Sequence, residues 1–325
     1  MSTPASGLQT DSRTAGARVA PARSAAYDPR RSQRRRNVRA VGLGLLFIAP
    51  TFVILGYFMY YPAYVAFVGS LTDWDGFNTP RAVGLQNFAN AFRDGNLRVA
   101  GLNNIPWAIG KVFLAVVPPF LAAELIFHVR RQRWQYLYRT LFVVPLIIPG
   151  IVTILLWTFY YRSDGLVNQV LGFVGLDALQ QPWLTRPSTA LGALIFMGFP
   201  WVTPFNLLIF YSGLQAIPGE ILEAGALDGA TGWRRVLFID LPLLVSQTRV
   251  LVTLAIIASV QALLEPLLMT GGGPGTSTLT PILYVYRTGV EYGDFGYSMS
   301  ISLILFLVVL LLSVAANRLT RSRKA

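Results

Sequence analysis

The sequence predicts an all-α polytopic membrane protein with six transmembrane helices. Three observations predict it: an apolar composition with little charge, six apolar runs long enough to cross a bilayer, and basic residues gathered at alternate ends of those runs. Of the 325 residues, 54% are hydrophobic and only 13% are charged, and mean hydropathy is +0.51. A soluble domain of this size needs more charge to cover its surface. The net charge of +12 does not indicate a nucleic-acid binder, because the arginines cluster beside apolar runs and form no continuous basic face.

A bilayer-crossing helix needs about 20 mostly apolar residues. The runs at 41–68, 106–127, 141–161, 190–211, 250–269 and 297–316 qualify. Aromatic residues near their ends, including Tyr60, Tyr61, Trp107, Trp134, Trp157, Tyr160 and Tyr161, suit interfacial belts. Placing the N-terminus, the 128–140 and 214–246 loops and the C-terminus in the cytoplasm puts 19 of 27 Lys and Arg residues inside. Acidic residues divide six inside and seven outside. Cations rather than acids set topology, so both termini are expected in the cytoplasm.

Residues 1–39 are rich in Ser, Ala, Pro and Arg and read as a disordered basic cytoplasmic tail. The apolar run that follows Arg34-Arg35-Arg36 is longer than the ~7–15 residues of a signal-peptide core. It reads as a retained first span, with the arginines holding the tail inside and available to anionic lipid. Residues 40–316 form the transmembrane domain, and 317–325 a cytoplasmic C-terminal tail.

Several chemistries are excluded. With no cysteine there is no disulfide, thiolate metal site or cysteine nucleophile. The single histidine, His128, ends an apolar run beside Arg130 and Arg131 and reads as an interfacial side chain. No catalytic constellation or metal site assembles around it. Gly110-Lys111 is followed by Val112 and lacks the upstream glycine of a phosphate-binding loop. Energy for active transport must therefore come from an ion gradient or another chain.

The loop at 217–245 carries the class signal. Pro218 suits the first turn of a helix, and Glu220 and Glu223 favour its positive end. Gly229 and Gly232 are placed to end that helix, and a second short helix is expected from Trp233 to Phe238, closed by Pro242. Ile221, Leu222, Ala224, Ala226 and Leu227 need cover, while the small residues permit close approach. Two readings stand: a helix docked in a groove of another protein, or a re-entrant helix packed under the bundle.

Glu223-Ala224, then Gly229, then Ile239 and Leu241-Pro242, resembles the "EAA" signature of permease subunits in binding-protein-dependent ABC importers. Gly225 departs from it, since the family usually has Ala or Ser there, and is expected to loosen the first helix. Ser70-Leu71-Thr72-Asp73-Trp74, Val83-Gly84-Leu85-Gln86-Asn87-Phe88 and Met269-Thr270-Gly271-Gly272-Gly273-Pro274-Gly275 resemble segments of the carbohydrate-uptake (maltose/glycerol-phosphate-like) group. The similarity covers residues 40–316 and favours the first of two non-identical permease subunits.

The resemblance implies a type I ABC importer permease fold in the bacterial cytoplasmic (inner) membrane. It implies a heterodimer with a second permease subunit, a dimeric ATPase that binds ATP and Mg, and an extracytoplasmic solute-binding protein that delivers a sugar. This chain would hold no cofactor. Glu223, Ala224, Asp228, Gly229, Ile239, Leu241 and Pro242 carry over as the ATPase-coupling set, with Arg234 or Arg235 adding charged contacts.

Pro145, Pro149, Pro200, Pro204 and Pro266 interrupt backbone hydrogen bonding inside apolar runs, which is tolerated where protein or a wet cavity satisfies the freed groups. For the substrate path the candidates are Trp201, Phe205, Asn206, Ser259 and Glu265: aromatic faces for sugar rings, polar groups for hydroxyls. The resemblance places Phe205 and Ser259 at cavity-facing positions and leaves Ala255 and Ala262 where a maltose-type relative is polar. Glu265 should face a cavity, a partner or the outer interface. Lys111 and Glu124 are too far apart along one helix to pair, and snorkelling near the span ends is the alternative for each. The alternatives are an importer of a polyol, a glycerol phosphodiester or an amino acid, or an ion-driven secondary transporter. The last predicts buried carboxylate relays and internal repeats, of which the sequence shows one deep carboxylate and no clear repeat.

Overall fold

In the computed structural model, residues 45–321 are described; the basic tail at 1–39 and the last four residues lie outside them. The described residues form helices and turns, with one isolated bridge between Thr72 and Ala82. Of the described residues, those up to Tyr61 belong to one compact unit and those from Pro62 onward to another. Among the described residues, three helices are long and apolar enough to cross a membrane, or up to five if each of two bent helix pairs is one span. The three are α1 (Leu45–Gly69), α3 (Gly95–Phe127) and α14 (Phe295–Arg321, whose apolar part is Phe295–Ala316). Between α1 and α3 lies the short α2 (Gln86–Arg93).

In the first unit, the described residues are the N-terminal part of α1, whose large apolar side chains are exposed, as lipid-facing side chains would be. Tyr57 stacks on Tyr61 there at 6.1 Å.

In the second unit, α3 is 33 residues long, about 50 Å at 1.5 Å per residue, longer than a hydrocarbon core of about 30 Å. Asp94 caps it, accepting from the backbone N–H of Asn96 and Leu97 at 2.8 and 3.2 Å. The expected spans at 141–161, 190–211 and 250–269 are not continuous helices. The first is α4 (Gln132–Ile147) and α5 (Gly150–Tyr160), bent by 91° at Pro149, where Ile148 is extended as a residue before proline tends to be. The second divides into α7 (Pro187–Phe196), which follows the short α6 (Leu166–Phe173), and α8 (Pro204–Gln215). The third divides into α11 (Val245–Val260) and α12 (Leu264–Met269). Pro149 and Pro200 lie in the first two breaks and end helices there, whereas Pro266 is the third residue of α12.

Two short helices, α9 (Gly219–Leu227) and α10 (Trp233–Leu243), lie between α8 and α11, with α10 and α11 meeting at 70°. The short α13 (Pro281–Tyr286) precedes α14. The packing frame is α3 against α8 and α11, and α11 against α14. Two cores hold it. Phe120, Ala123 and Ile126 of α3 pack with Leu207, Phe210 and Leu214 of α8, and with Val236 of α10. Trp107 of α3, Ile154 of α5, Leu194 of α7 and Met269 of α12 form the other. Trp107 and Tyr161, expected in an interfacial belt, are therefore core residues; facing helices enclose their rings. The first core ties α10 directly to the helices that carry the cavity described below.

Candidate functional site

Two features stand out: the α9–α10 turn and a cavity among α3, α8, α11 and α12. In the turn, Pro218 precedes α9 with an extended backbone, and Glu220 lies in its first turn. Asp228 ends α9, and its N–H reaches the carbonyl of Ala224 at 3.1 Å. Gly229 and Gly232 follow with φ of +78° and +53°, conformations that L side chains adopt at a cost. The two-helix arrangement with a glycine turn is therefore present.

Its second helix runs further than expected. It continues from Trp233 across Pro242 to Leu243 instead of closing at Phe238. A wide turn over Val236–Asp240, in which the Leu241 N–H bonds back to the Val236 carbonyl, makes room for the proline ring. Glu223, Ala224, Asp228, Gly229, Leu241 and Pro242 are exposed, while Ile239 is half-buried. Around them the surface is unusually apolar: Leu227 is 90% exposed and Trp233, Leu237 and Phe238 are exposed as well.

Gly225 faces inward. A Cβ at this position would overlap Ile239 Cδ1, so α9 and α10 meet where the glycine leaves space. The helix runs unbroken through Gly225.

Arg235, expected among outward charged contacts, points inward instead. Its Nε donates to Asp240 Oδ2 at 3.1 Å, its guanidinium lies 5.3 Å from the Phe127 ring centre, and Asp240 is fully buried. Desolvation makes such a pair weak as a stabiliser but costly to break. Arg234 remains exposed. Glu124 does not snorkel: its carboxylate is buried within electrostatic reach of Asp240 and Arg235. His128 Nδ1 lies 3.5 Å from one Glu124 oxygen, and His128 is partly exposed at the helix end, as its sequence context suggests.

The cavity has a volume of about 520 Å³ and brings together all five substrate-path candidates, Trp201, Phe205, Asn206, Ser259 and Glu265. Their polar groups are not all free. Asn206 Nδ2 donates to the Ala115 carbonyl at 2.8 Å, which has no helical partner because Pro119 stands four residues on. Trp201 Nε1 donates to the Phe196 carbonyl at 2.6 Å, freed in the same way by Pro200. Ser259 Oγ donates to the Ile256 carbonyl at 2.7 Å. Asn206 and Trp201 repair backbone that the prolines leave unpaired, whereas the Ile256 carbonyl lies within α11 and takes the Ser259 hydroxyl as an additional donor. Trp201 itself adopts φ +58° and is flanked by Phe196 and Phe199 at 4.5 and 4.9 Å. Phe205 presents an exposed ring.

Two cavity residues escaped the sequence reading. Lys111, placed near a span end by sequence, turns into the cavity. Its Nζ lies 4.0 Å from Glu265 and 4.7 Å from the Trp107 ring centre. Trp107 and Lys111 are four residues apart and so share one helix face, a spacing visible in the sequence.

Away from the cavity, Asp94 accepts hydrogen bonds from the hydroxyls of Tyr284 and Tyr297, both at 2.6 Å. Burial raises its pKa, but the four hydrogen bonds it accepts outweigh that and hold it below the usual carboxylate value. Asn87 Nδ2 donates to the carbonyls of Ser70 and Thr72, and Arg287 to that of Gly271, so the loops that carry the family resemblance are pinned to neighbouring helices.

Comparison with known proteins agrees with this architecture. Residues 115–324 match the model of the "binding-protein-dependent transport system inner membrane component" family. The sn-glycerol-3-phosphate transport system permease protein UgpA of Salmonella typhimurium is 31% identical, over 90% of this chain and 98% of that protein. The lactose transport system permease protein LacF of Rhizobium radiobacter is 28% identical, over 86% and 95%. A chain of a bacterial ABC transporter involved in import of the acidic polysaccharide alginate superposes with a TM-score of 0.76 at 21% identity, covering 90% of this chain and all of that one. The chain belongs to the family of inner-membrane components of binding-protein-dependent transport systems.

Proposed function

We propose that this permease subunit passes a sugar or oligosaccharide, delivered by an extracytoplasmic binding protein, through the cavity lined by Trp201, Phe205 and Glu265. Energy comes from ATP hydrolysed with Mg on a separate ATPase dimer that seats against α9 and the start of α10. A second, non-identical permease subunit completes the pathway, and both termini of this chain lie in the cytoplasm, a reading that the distribution of Lys and Arg supports.

The observation that carries the reading is the exposed apolar surface of α9–α10. Leu227, Trp233 and Phe238 stand beside Glu223 and Asp228 at a turn fixed by Gly229 and Gly232. A helix pair of this composition is suited to a partner's groove, and Val236 connects it to the core that carries α3 and α8. Motion of α9–α10 would therefore reach the cavity walls through packed side chains. Sugar as cargo is supported by aromatic rings in the cavity and by a relative named for lactose transport.

The test replaces Glu223 by Lys in the co-expressed importer. Insertion of the permease is expected to be unchanged, while the ATPase subunit is lost from the purified complex and uptake falls. Full retention of the ATPase with normal uptake would remove the coupling assignment.

A further inference from the structure

We propose that Lys111 and Glu265 form a charge-paired selector that suits the cavity to uncharged sugars and disfavours anionic ones. The proposal rests on the reading of this cavity as the sugar path. Among the described residues that line it, Lys111 and Glu265 are the charged ones, and their charges cancel. The geometry is that of a loose pair. The 4.0 Å separation is at the outer limit of an ion pair, and the side chains are 22% and 25% exposed, so each keeps hydrogen-bonding capacity toward the cavity. Trp107, fully buried on the same wall, has an indole N–H without a partner.

An ammonium offers three donors and a carboxylate offers only acceptors. A sugar hydroxyl is both donor and acceptor, so neighbouring hydroxyls can bridge the pair without changing the net charge of a poorly solvated space. An anionic ligand meets a different balance. On reaching the Lys111 ammonium it lies beside the Glu265 carboxylate, 4.0 Å from Nζ and of like charge, a repulsive feature that disfavours the wrong ligand. Without Glu265, Lys111 would be an unpaired cation beside an apolar wall, which is costly unless a ligand anion neutralises it. Glu265 thus determines which charge class the cavity accepts.

The experiment uses the assembled importer in detergent without its binding protein, so that the binding protein's own preference does not enter. Fluorescence of the cavity tryptophans is titrated with lactose, maltose and cellobiose. Each is compared with the disaccharide of the same linkage in which a uronic acid replaces the non-reducing hexose. The wild type is expected to favour the neutral member of each pair. Glu265→Gln should shift the uronate-to-neutral affinity ratio upward by about tenfold, the order of one gained charge-assisted hydrogen bond. Lys111→Met should not shift it toward the uronate. The exchanged pair Lys111→Glu with Glu265→Lys should restore the neutral preference, and it also serves if the single variants fail to assemble. A wild type that favours the uronate overturns the proposal. So does a Glu265→Gln or exchanged-pair ratio that contradicts the expected one while neutral sugars still bind. If neither sugar class is bound at all, the sugar-path reading itself fails and the selector with it.

Discussion

Gly225 and Ile239 provide a direct test of how α9 is joined to α10. A Cβ at position 225 would overlap Ile239 Cδ1, so Gly225→Ala adds a methyl where none fits. The substitution gains about 0.5–1 kcal/mol of helix propensity and costs about 1–3 kcal/mol through overpacking. The net effect is therefore a destabilisation of about 0–2.5 kcal/mol. Ile239→Val removes the overlapping methyl and alone costs about 0.5–1.5 kcal/mol for the small void it leaves. In the double variant the alanine methyl takes the space that Cδ1 vacated, and stability should return to near wild type. The cycle should give a favourable coupling of about 1–2 kcal/mol, within the range for residues in contact. Detergent-purified permease titrated with SDS measures stability, and retention of the ATPase subunit measures function. A double variant as unstable as the sum of the singles would refute the packing account of Gly225.

Two further predictions concern charge. Asp240→Asn leaves Arg235 without its carboxylate and should cost about 3–5 kcal/mol, the order seen when one partner of a buried pair is removed. Replacing both Arg235 and Asp240 by Met should cost much less, which thermal unfolding of the purified subunit would show; equal losses would contradict the pair's role. Asp94 has a folded pKa below its unfolded value, so its contribution is complete above about pH 4 and is lost as pH falls through the lower folded value. Asp94→Asn keeps a capping oxygen but not the charge. Its stability profile should accordingly lose part of the decline between about pH 5 and 3 that the wild type shows, and an unchanged acid slope would refute the assignment.

Much of this molecule is legible from its sequence because the bilayer imposes a simple constraint. Apolar runs of sufficient length, with cations at alternate ends, give the helical class. The α9–α10 turn is equally legible, since Gly229 and Gly232 occupy backbone conformations that side chains resist. The breaks within the third and fourth runs are signalled by Pro149 and Pro200, but hydropathy alone draws each run as one rod.

Less legible were properties that depend on neighbours distant in sequence. The inward turn of Arg235 requires the buried Asp240 and the Phe127 ring beside it. Lys111 finds Glu265 across 154 positions, 265 less 111, and no periodicity reports that encounter. Asn206 and Trp201 read as sugar ligands by residue type, yet their N–H groups serve carbonyls freed by Pro119 and Pro200. That function becomes visible only when the helix break and the adjacent helix are seen together.

The central claim is that this subunit works in import driven by ATP hydrolysed on another chain. The most direct measurement is uptake of labelled lactose, maltose or the binding protein's own ligand into proteoliposomes holding the permease pair and ATPase, with binding protein outside and ATP inside. The account predicts accumulation that requires ATP and the binding protein and persists when ionophores collapse proton and sodium gradients. Accumulation that proceeds without ATP and vanishes with the ion gradient would contradict it.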